Sequence, residues 1–280
     1  MNPYLISGPA LISFSGGRTS AYMLFHIIEA HGGKLPDDVV VTFANTGKER
    51  EETLRFVHDC ATHWNVNVRW LEYRNEPPKF EEVGYNSASR NGEPFAALIA
   101  KRNYLPNGVT RFCTQELKIR VMRDFAKVAF RWKNWTNIIG LRYDEGQRVF
   151  KALAINDTGK QPWRNSMPMA KAKATVRDVR AFWAQQPFDL QLKSYEGNCD
   201  LCFLKSKAKL QALMRENPGM ADWWIAQEAA VTTDNPAGRR FTDYPYATMA
   251  DQVTRQGFLF EDDGEEFDAE CGLTCAGEAA

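Results

Sequence analysis

Residues 10–71 limit the folds open to this chain more than any other stretch, because their hydrophobic pattern changes period four times at short, regular intervals. Ala10–Phe14 is a largely apolar run, Val39-Val-Val-Thr-Phe43 is rich in β-branched side chains, and Asn65–Leu71 alternates. All three patterns suit strands. Between them, Ser20–Ala30 carries Tyr22, Met23, Phe25, Ile27 and Ile28, and Glu51–Trp64 brings Leu54, Val57, Ala61 and Trp64 to one helical face. Strand, helix, strand, helix, strand at these spacings requires parallel pairing with right-handed crossovers. The expected fold is therefore α/β, an open parallel sheet with helices on both faces, followed by a smaller, mainly helical C-terminal extension.

The first strand runs into Ser15-Gly16-Gly17 immediately before the first helix. Two glycines ahead of a helix N-terminus remove obstructing Cβ atoms and aim backbone N–H groups and the positive end of the helix dipole at one point, which suits phosphate. The loop is neither G-x-x-x-x-G-K-S/T nor G-x-G-x-x-G. In an open parallel sheet, ligands bind beyond the carboxyl ends of the strands, so Asn45-Thr46-Gly47 after the second strand would share the same crevice. The plain alternative is a small-residue turn in the first case and a helix-entry turn in the second.

Beyond the third strand, residues 75–111 lose periodicity and gain Pro77-Pro78, Gly84, Asn91-Gly92, Pro94 and Pro106-Asn107-Gly108, which reads as a lid or substrate loop. A helix from about Gln115 to Lys133 follows, with Cys113 just ahead of it, beside Arg111 and before Lys118 and Arg120. Helix dipole and cations both favour thiolate there. Thr136–Arg148 is a strand entering a polar loop. Its Arg142 and Arg148 either present paired donors to phosphate or sulfate oxygens, or order the loop through Asp144 and Glu145. Thr175–Gln185 and Lys207–Glu216 are further helices. The tryptophan-rich segment from Met220 to Trp224 has no assigned role. Cys60 falls beside a helical apolar face and reads as core.

Cys199-x-x-Cys202 precedes the helix at Lys207. Two intervening residues let both sulfurs face one metal, and the same spacing serves a dithiol redox pair. Thirty-five basic residues balance thirty-five acidic ones, so no global field advertises nucleic acid or membrane, although local patches escape that count. With no leader pattern and no apolar run of membrane-spanning length, the expectation is a cytoplasmic protein without a membrane partner. Six cysteines in that compartment read as metal ligands, redox groups or buried hydrophobes.

Several of these segments together resemble one family. Ser15-Gly16-Gly17-x-x-Ser20 resembles the loop of the PP-loop superfamily, with Arg18-Thr19 where many members carry Lys-Asp. Asn45-Thr46-Gly47 with Glu49, Glu52 and Thr53 resembles the segment after the second strand in the phosphoadenosine phosphosulfate (PAPS/APS) reductase family. Gly140-x-Arg142-x-Asp144-Glu145 with Arg148, then Met167-Pro168-Met169, continue the likeness in order, which spans roughly residues 10–215. Glu270-Cys271-Gly272-Leu273 resembles the family's C-terminal tail, with Thr274 in place of a histidine.

The resemblance implies a PP-loop, Rossmann-like domain over residues 1–170 with an insertion at 75–111, and a helical extension over 171–280 ending in an acidic, cysteine-bearing tail. It implies an adenine nucleotide (ATP, APS or PAPS) held by Ser15, Gly16, Gly17, Ser20, Asn45 and Thr46, with Gly140, Arg142 and Arg148 around its anionic groups. Cys271 is the implied nucleophile, and a thiol donor such as thioredoxin the implied reductant. A [4Fe–4S] cluster would use Cys113, Cys199 and Cys202, with Cys275 the preferred fourth ligand and Phe112 in place of a further family cysteine. Zinc on the same thiols is the alternative metal. Two other functions stay open: an ATP-dependent sulfurtransferase acting on a nucleic acid, and a zinc-stapled nucleotide-binding module without catalysis.

Overall fold

The protein is described by a computed structural model covering residues 2–193 and 195–255. Six strands form one sheet: β1 (Ala10–Ser13), β2 (Val39–Asn45), β3 (Val68–Tyr73), β4 (Phe80–Val83), β5 (Trp135–Ile139) and β6 (Trp163–Ser166). They lie in the order β4-β3-β2-β1-β5-β6. All pairs are parallel except β3–β4. The α/β architecture with a helical C-terminal part is thus as the hydrophobic periods predict, with one antiparallel strand added at an edge.

Strand alternation sorts the apolar side chains to two cores. Ala10 and Ile12 join Val39, Val41, Phe43 and Ile138 on one face, whereas Leu11 joins Ala44 and Trp135 on the other. The first face is covered by α1 (Arg18–Ala30) and α2 (Glu51–His63). The second is covered by α3 (Glu93–Arg102) and a helix in three parts: α4 (Phe112–Thr114), a π-helical turn (Gln115–Ile119) and α5 (Arg120–Ala129). After β5 come α6 (Gly146–Thr158), α7 (Pro168–Lys171) and α8 (Val176–Trp183). The chain continues through α9 (Lys207–Glu216), α10 (Asp222–Ala230) and α11 (Tyr246–Arg255).

Three sequence expectations shift. Residues 75–111 are not irregular throughout, because they contain β4 and α3; the four-residue strand is too short to show a period beside Pro77-Pro78, and α3 opens on Gly92 and Pro94. The helix expected from Gln115 starts at Phe112 and ends at Ala129. The polar loop after β5 gives way at Gly146 to a full helix, α6, which buries only Ala152 and so carries a weak apolar signal.

The helices after α8 pack into the same apolar cluster as α3 and α5, through Leu210, Leu213, Trp224 and Tyr246. Trp224 is fully buried, stacks on Tyr246 with ring centroids 5.3 Å apart, and donates from Nε1 to Asp200 Oδ1 at 3.0 Å. The tryptophan-rich segment is therefore a core anchor for the C-x-x-C loop. Among the described residues, no helix is long and apolar enough to cross a membrane. Glu270, Cys271 and Cys275 lie outside the described residues.

Candidate functional site

The chain leaves β1 toward β2 on one side and later returns to pair β5 on the other, so the loops after β1 and β5 diverge at a topological switch point where open parallel sheets hold ligands. Gly16, at φ +80°, occupies the first of these loops. A Cβ there would meet Thr53 Cγ2 at 2.8 Å, Val57 Cγ2 at 3.0 Å and Phe43 Cε2 at 3.1 Å. Glycine is required on two counts, backbone sign and space. Gly17 is the N-cap of α1 without a side-chain cap, and the first turn holds no acidic residue.

Ser20 Oγ accepts from Ser15 N at 3.2 Å, lies 2.8 Å from Ser15 Oγ and donates to Gly17 O at 3.0 Å, so the two serines brace the loop. Thr53 Oγ1, beneath the loop, is buried with no hydrogen-bond partner among the described residues. Arg18, the first residue of α1, is held in a two-pronged pair with Asp189 at 2.7 and 2.6 Å. Gly140, at the end of β5, abuts α1: a Cβ there would lie 3.2 Å from Ser20 Cα. Gly16 and Gly140 thus let the loop and β5 pack closely on α2, β2 and α1, and the start of α1, without an acidic residue in its first turn, is electrostatically open to an anion.

The second loop is knitted differently. Asn45 Nδ2 donates to Glu72 Oε1 at 2.7 Å and to Ser89 O at 2.9 Å, while its Oδ1 accepts from Gly47 N at 3.0 Å. Thr46 donates from both N (2.7 Å) and Oγ1 (2.8 Å) to Glu49 Oε2. The other oxygen of this buried carboxylate lies 3.3 Å from Lys118 Nζ and accepts from Cys199 Sγ at 3.8 Å. Burying a carboxylate is costly unless donors surround it, and three elements supply them here. Lys118 comes from the π-helical turn, a distortion that often marks functional positions.

Opposite this loop, the C-x-x-C segment runs as an added strand. Glu49 and Cys199 form an antiparallel bridge, Arg50 N donates to Asn198 O at 2.7 Å, and Asp200 N donates to Lys48 O at 3.0 Å. Two ion pairs reinforce the seam, Lys48–Asp200 at 2.7 Å and Arg50–Glu196 at 2.8 Å. Asn198 Nδ2 then reaches the glycine loop itself, donating to Ser15 O at 2.9 Å. Ser15, Thr46, Glu49 and Cys199 thus share the carboxyl edge of the sheet. The contacts of Glu49 with Lys118 and Cys199, of Asn198 with Ser15 and of Asp200 with Trp224 join residues remote in sequence, so nothing local marks these four as site residues.

Arg142 is buried and divided between partners: Nε to Asp144 at 2.9 Å and Nη1 to Thr19 Oγ1 at 3.2 Å, in the first turn of α1. Its backbone N donates to Glu145 Oε2 at 2.9 Å, and Arg148 pairs with the same carboxylate. Burial works to raise the Asp144 carboxyl, but the Val176 amide and the Arg142 guanidinium outweigh it and hold the group below the ordinary carboxylate range. Both arginines therefore order the loop, and Arg142 also touches the helix that follows the glycine loop.

Cys113 lies within the first turn of its helix rather than ahead of it, half-buried against the apolar cluster. Cys199 and Cys202 are also half-buried. Among the described residues, no three His, Cys, Asp or Glu side chains meet as a metal-holding group. Burial pushes the Cys60 thiol far up, as suits a core residue. Beyond β3 a cleft of about 680 Å³, lined by Tyr73, Arg74, Asn75, Ser89, Arg90 and Asn91, adjoins the second loop.

No protein-family model matches this sequence. Over 219 residues the chain is 30% identical to the uncharacterized nin region protein ORF290 of Escherichia phage lambda, an alignment covering 75% of this chain and 71% of that one. Over 222 residues it is 23% identical to the uncharacterized protein MJ0066 of Methanocaldococcus jannaschii, covering 78% of this chain and 41% of that protein.

Proposed function

The chain belongs to the family of the nin region protein ORF290 of phage lambda, and we propose that it is a cytoplasmic PP-loop enzyme carrying out sulfur chemistry on an adenine nucleotide. The reaction proposed is thiol-dependent reduction of an adenylyl sulfate, APS or PAPS. One observation carries the reading: the loop after β2 is backbone-paired to the C-x-x-C segment, and that segment is bonded to the glycine loop through Asn198 and Ser15. The glycine loop and Cys199 share one edge of the sheet, which supports siting nucleotide and sulfur chemistry there.

In this reading, Gly16, Gly17, Ser15 and Ser20 bind phosphate, Asn45 and Thr46 shape the opposite wall, and Gly140 lets the β5 turn approach α1. Arg142 and Arg148 balance the anionic groups. Cys271 is the nucleophile: its thiolate attacks the sulfonate sulfur, the sulfur–oxygen bond to the nucleotide phosphate breaks, and the nucleotide leaves with that electron pair. A dithiol donor of the thioredoxin class then attacks the S-sulfocysteine. Sulfite leaves from the Cys271 sulfur with the bonding pair, and the donor's second thiol then displaces the Cys271 thiolate from the mixed disulfide, so that the donor ends as its disulfide. A [4Fe–4S] cluster is proposed on Cys113, Cys199, Cys202 and Cys275, a set that the described side chains do not hold pre-assembled, with zinc as the competing metal.

The test is anaerobic incubation of freshly purified full-length protein with APS or PAPS and a dithiol. Sulfite release that is lost in Cys271→Ser is the expected result. Nucleotide binding without turnover would leave a binding module and overturn the reductase. Iron and acid-labile sulfide counts of about four each per chain are expected for the cluster, and stoichiometric zinc without iron would replace it. A second reading, ATP-dependent sulfur transfer to a nucleic acid, is favoured by the eight basic against two acidic residues of 146–180, which include the edge strand β6. Its signature is AMP and pyrophosphate released from ATP.

A further inference from the structure

The chain's charge neutrality hides a division. Residues 256–280 hold eight acidic residues and no basic one, so residues 1–255 carry 35 basic residues against 27 acidic. Within that excess, residues 146–180 hold eight basic residues (Arg148, Lys151, Lys160, Arg164, Lys171, Lys173, Arg177 and Arg180) and only two acidic ones, Asp157 and Asp178. Three-quarters of the net positive charge of residues 1–255 thus falls in this one segment.

The fold turns that segment into a belt around one edge of the sheet. α6 lies along β6 and is fastened to it by Asn156, which accepts from Asn165 N at 2.6 Å and donates to Asn165 O at 2.9 Å. β6 is the outermost strand, and α7 and α8 follow it back toward α1. Lys151, Lys160, Arg164 and Lys173 are exposed and make no ion pair among the described residues. Of the two acids, Asp178 is engaged in the capping box of α8 with Thr175, and Asp157 stands at the far end of α6 from the crevice.

Aromatic surface interleaves the cations. Phe150 on α6 is 73% exposed and Tyr143, at the rim of the switch-point crevice, is 56% exposed. Tyr143 is brought beside Lys173 because its backbone N donates to Ala174 O at 2.8 Å. Cations that track phosphates, with exposed rings on which unpaired bases stack, are the features of a single-strand nucleic-acid surface. Exposed rings also sit at membrane interfaces, so an anionic vesicle is the rival partner.

We propose that the belt formed by α6, β6 and the turn after α7 binds single-stranded nucleic acid, leading it to the rim of the crevice at Tyr143. The proposal goes beyond nucleotide chemistry and stands whether or not the crevice turns over APS or ATP. The experiment is fluorescence anisotropy of labelled 20-nucleotide DNA and RNA strands of mixed sequence with full-length protein across a KCl series.

Binding whose log K falls with log salt at a slope of about −3, corresponding to roughly four phosphates, is expected for at least one strand type. Lys151→Glu with Lys173→Glu should weaken it tenfold or more and flatten the slope. Phe150→Ala should weaken it about fivefold to a hundredfold with the slope unchanged, because stacking is uncharged. Lys34→Glu with Lys127→Glu, the same charge change on exposed residues elsewhere, should leave affinity within about twofold. Equal loss in both double variants, no binding of either strand at low salt, or binding only to phosphatidylserine vesicles would overturn the proposal.

Discussion

Replacing Gly16 by alanine tests the geometry on which the site depends. An L-residue at φ +80° pays the left-handed penalty of about 1–2 kcal/mol. Its Cβ would also meet Thr53 Cγ2 at 2.8 Å, Val57 Cγ2 at 3.0 Å and Phe43 Cε2 at 3.1 Å, an overpacking that typically costs about 1–3 kcal/mol. The sum is about 2–5 kcal/mol, and at roughly 2–4 °C per kcal/mol for a domain of this size the melting temperature should fall by about 4–20 °C. Urea unfolding followed by tryptophan fluorescence gives the free energy, and calorimetric titration with adenine nucleotides gives the binding loss. Adding Thr53→Ser removes the nearest methyl and should return about 1 kcal/mol of the overpacking cost, but not the left-handed penalty, which a smaller neighbour does not relieve. A loss below about 1 kcal/mol, or no recovery in the double variant, would refute the packing argument.

Glu49→Ala should destabilise the protein by about 3–5 kcal/mol in urea unfolding, because Lys118 and the Thr46 donors would stay buried without their carboxylate. Trp224→Ala should cost about 3–5 kcal/mol, and thiol-labelling of Cys199 and Cys202 should become faster as Asp200 loses its anchor. Asp144, held below the ordinary carboxylate range, contributes stability that is present above about pH 3.9 and is lost as pH falls through its lower folded value. Urea midpoints measured from pH 7 to pH 3 should therefore show the gap between the protein and Asp144→Asn closing only at the acid end.

The alternation of strand and helix was legible from residues 10 to 71 because each element declares itself within a few residues, by period and β-branching. The glycine loop was legible for the same reason, since Gly16 answers a local backbone demand as well as a packing one. β4, α3 and α6 were less so. The first two are short and surrounded by prolines and glycines, and α6 buries a single residue, so no period survives. The arginines of the loop after β5 allowed two readings, and only coordinates show Arg142 shared between Asp144 and Thr19.

By itself, then, the sequence determined the α/β class, the glycine turn at Gly16 and the buried fate of Cys60, all set by interactions over a few residues or by simple hydrophobicity. Tertiary structure alone decided that Glu49 would gather Lys118 and Cys199, and that Asn198 would reach Ser15 across 183 positions. Such partners are chosen by where the sheet and its crossovers leave them, and nothing in the neighbouring residues encodes that distance. The charge belt belongs to both: its composition is written in residues 146–180, but only the outermost place of β6 sets it along an open edge.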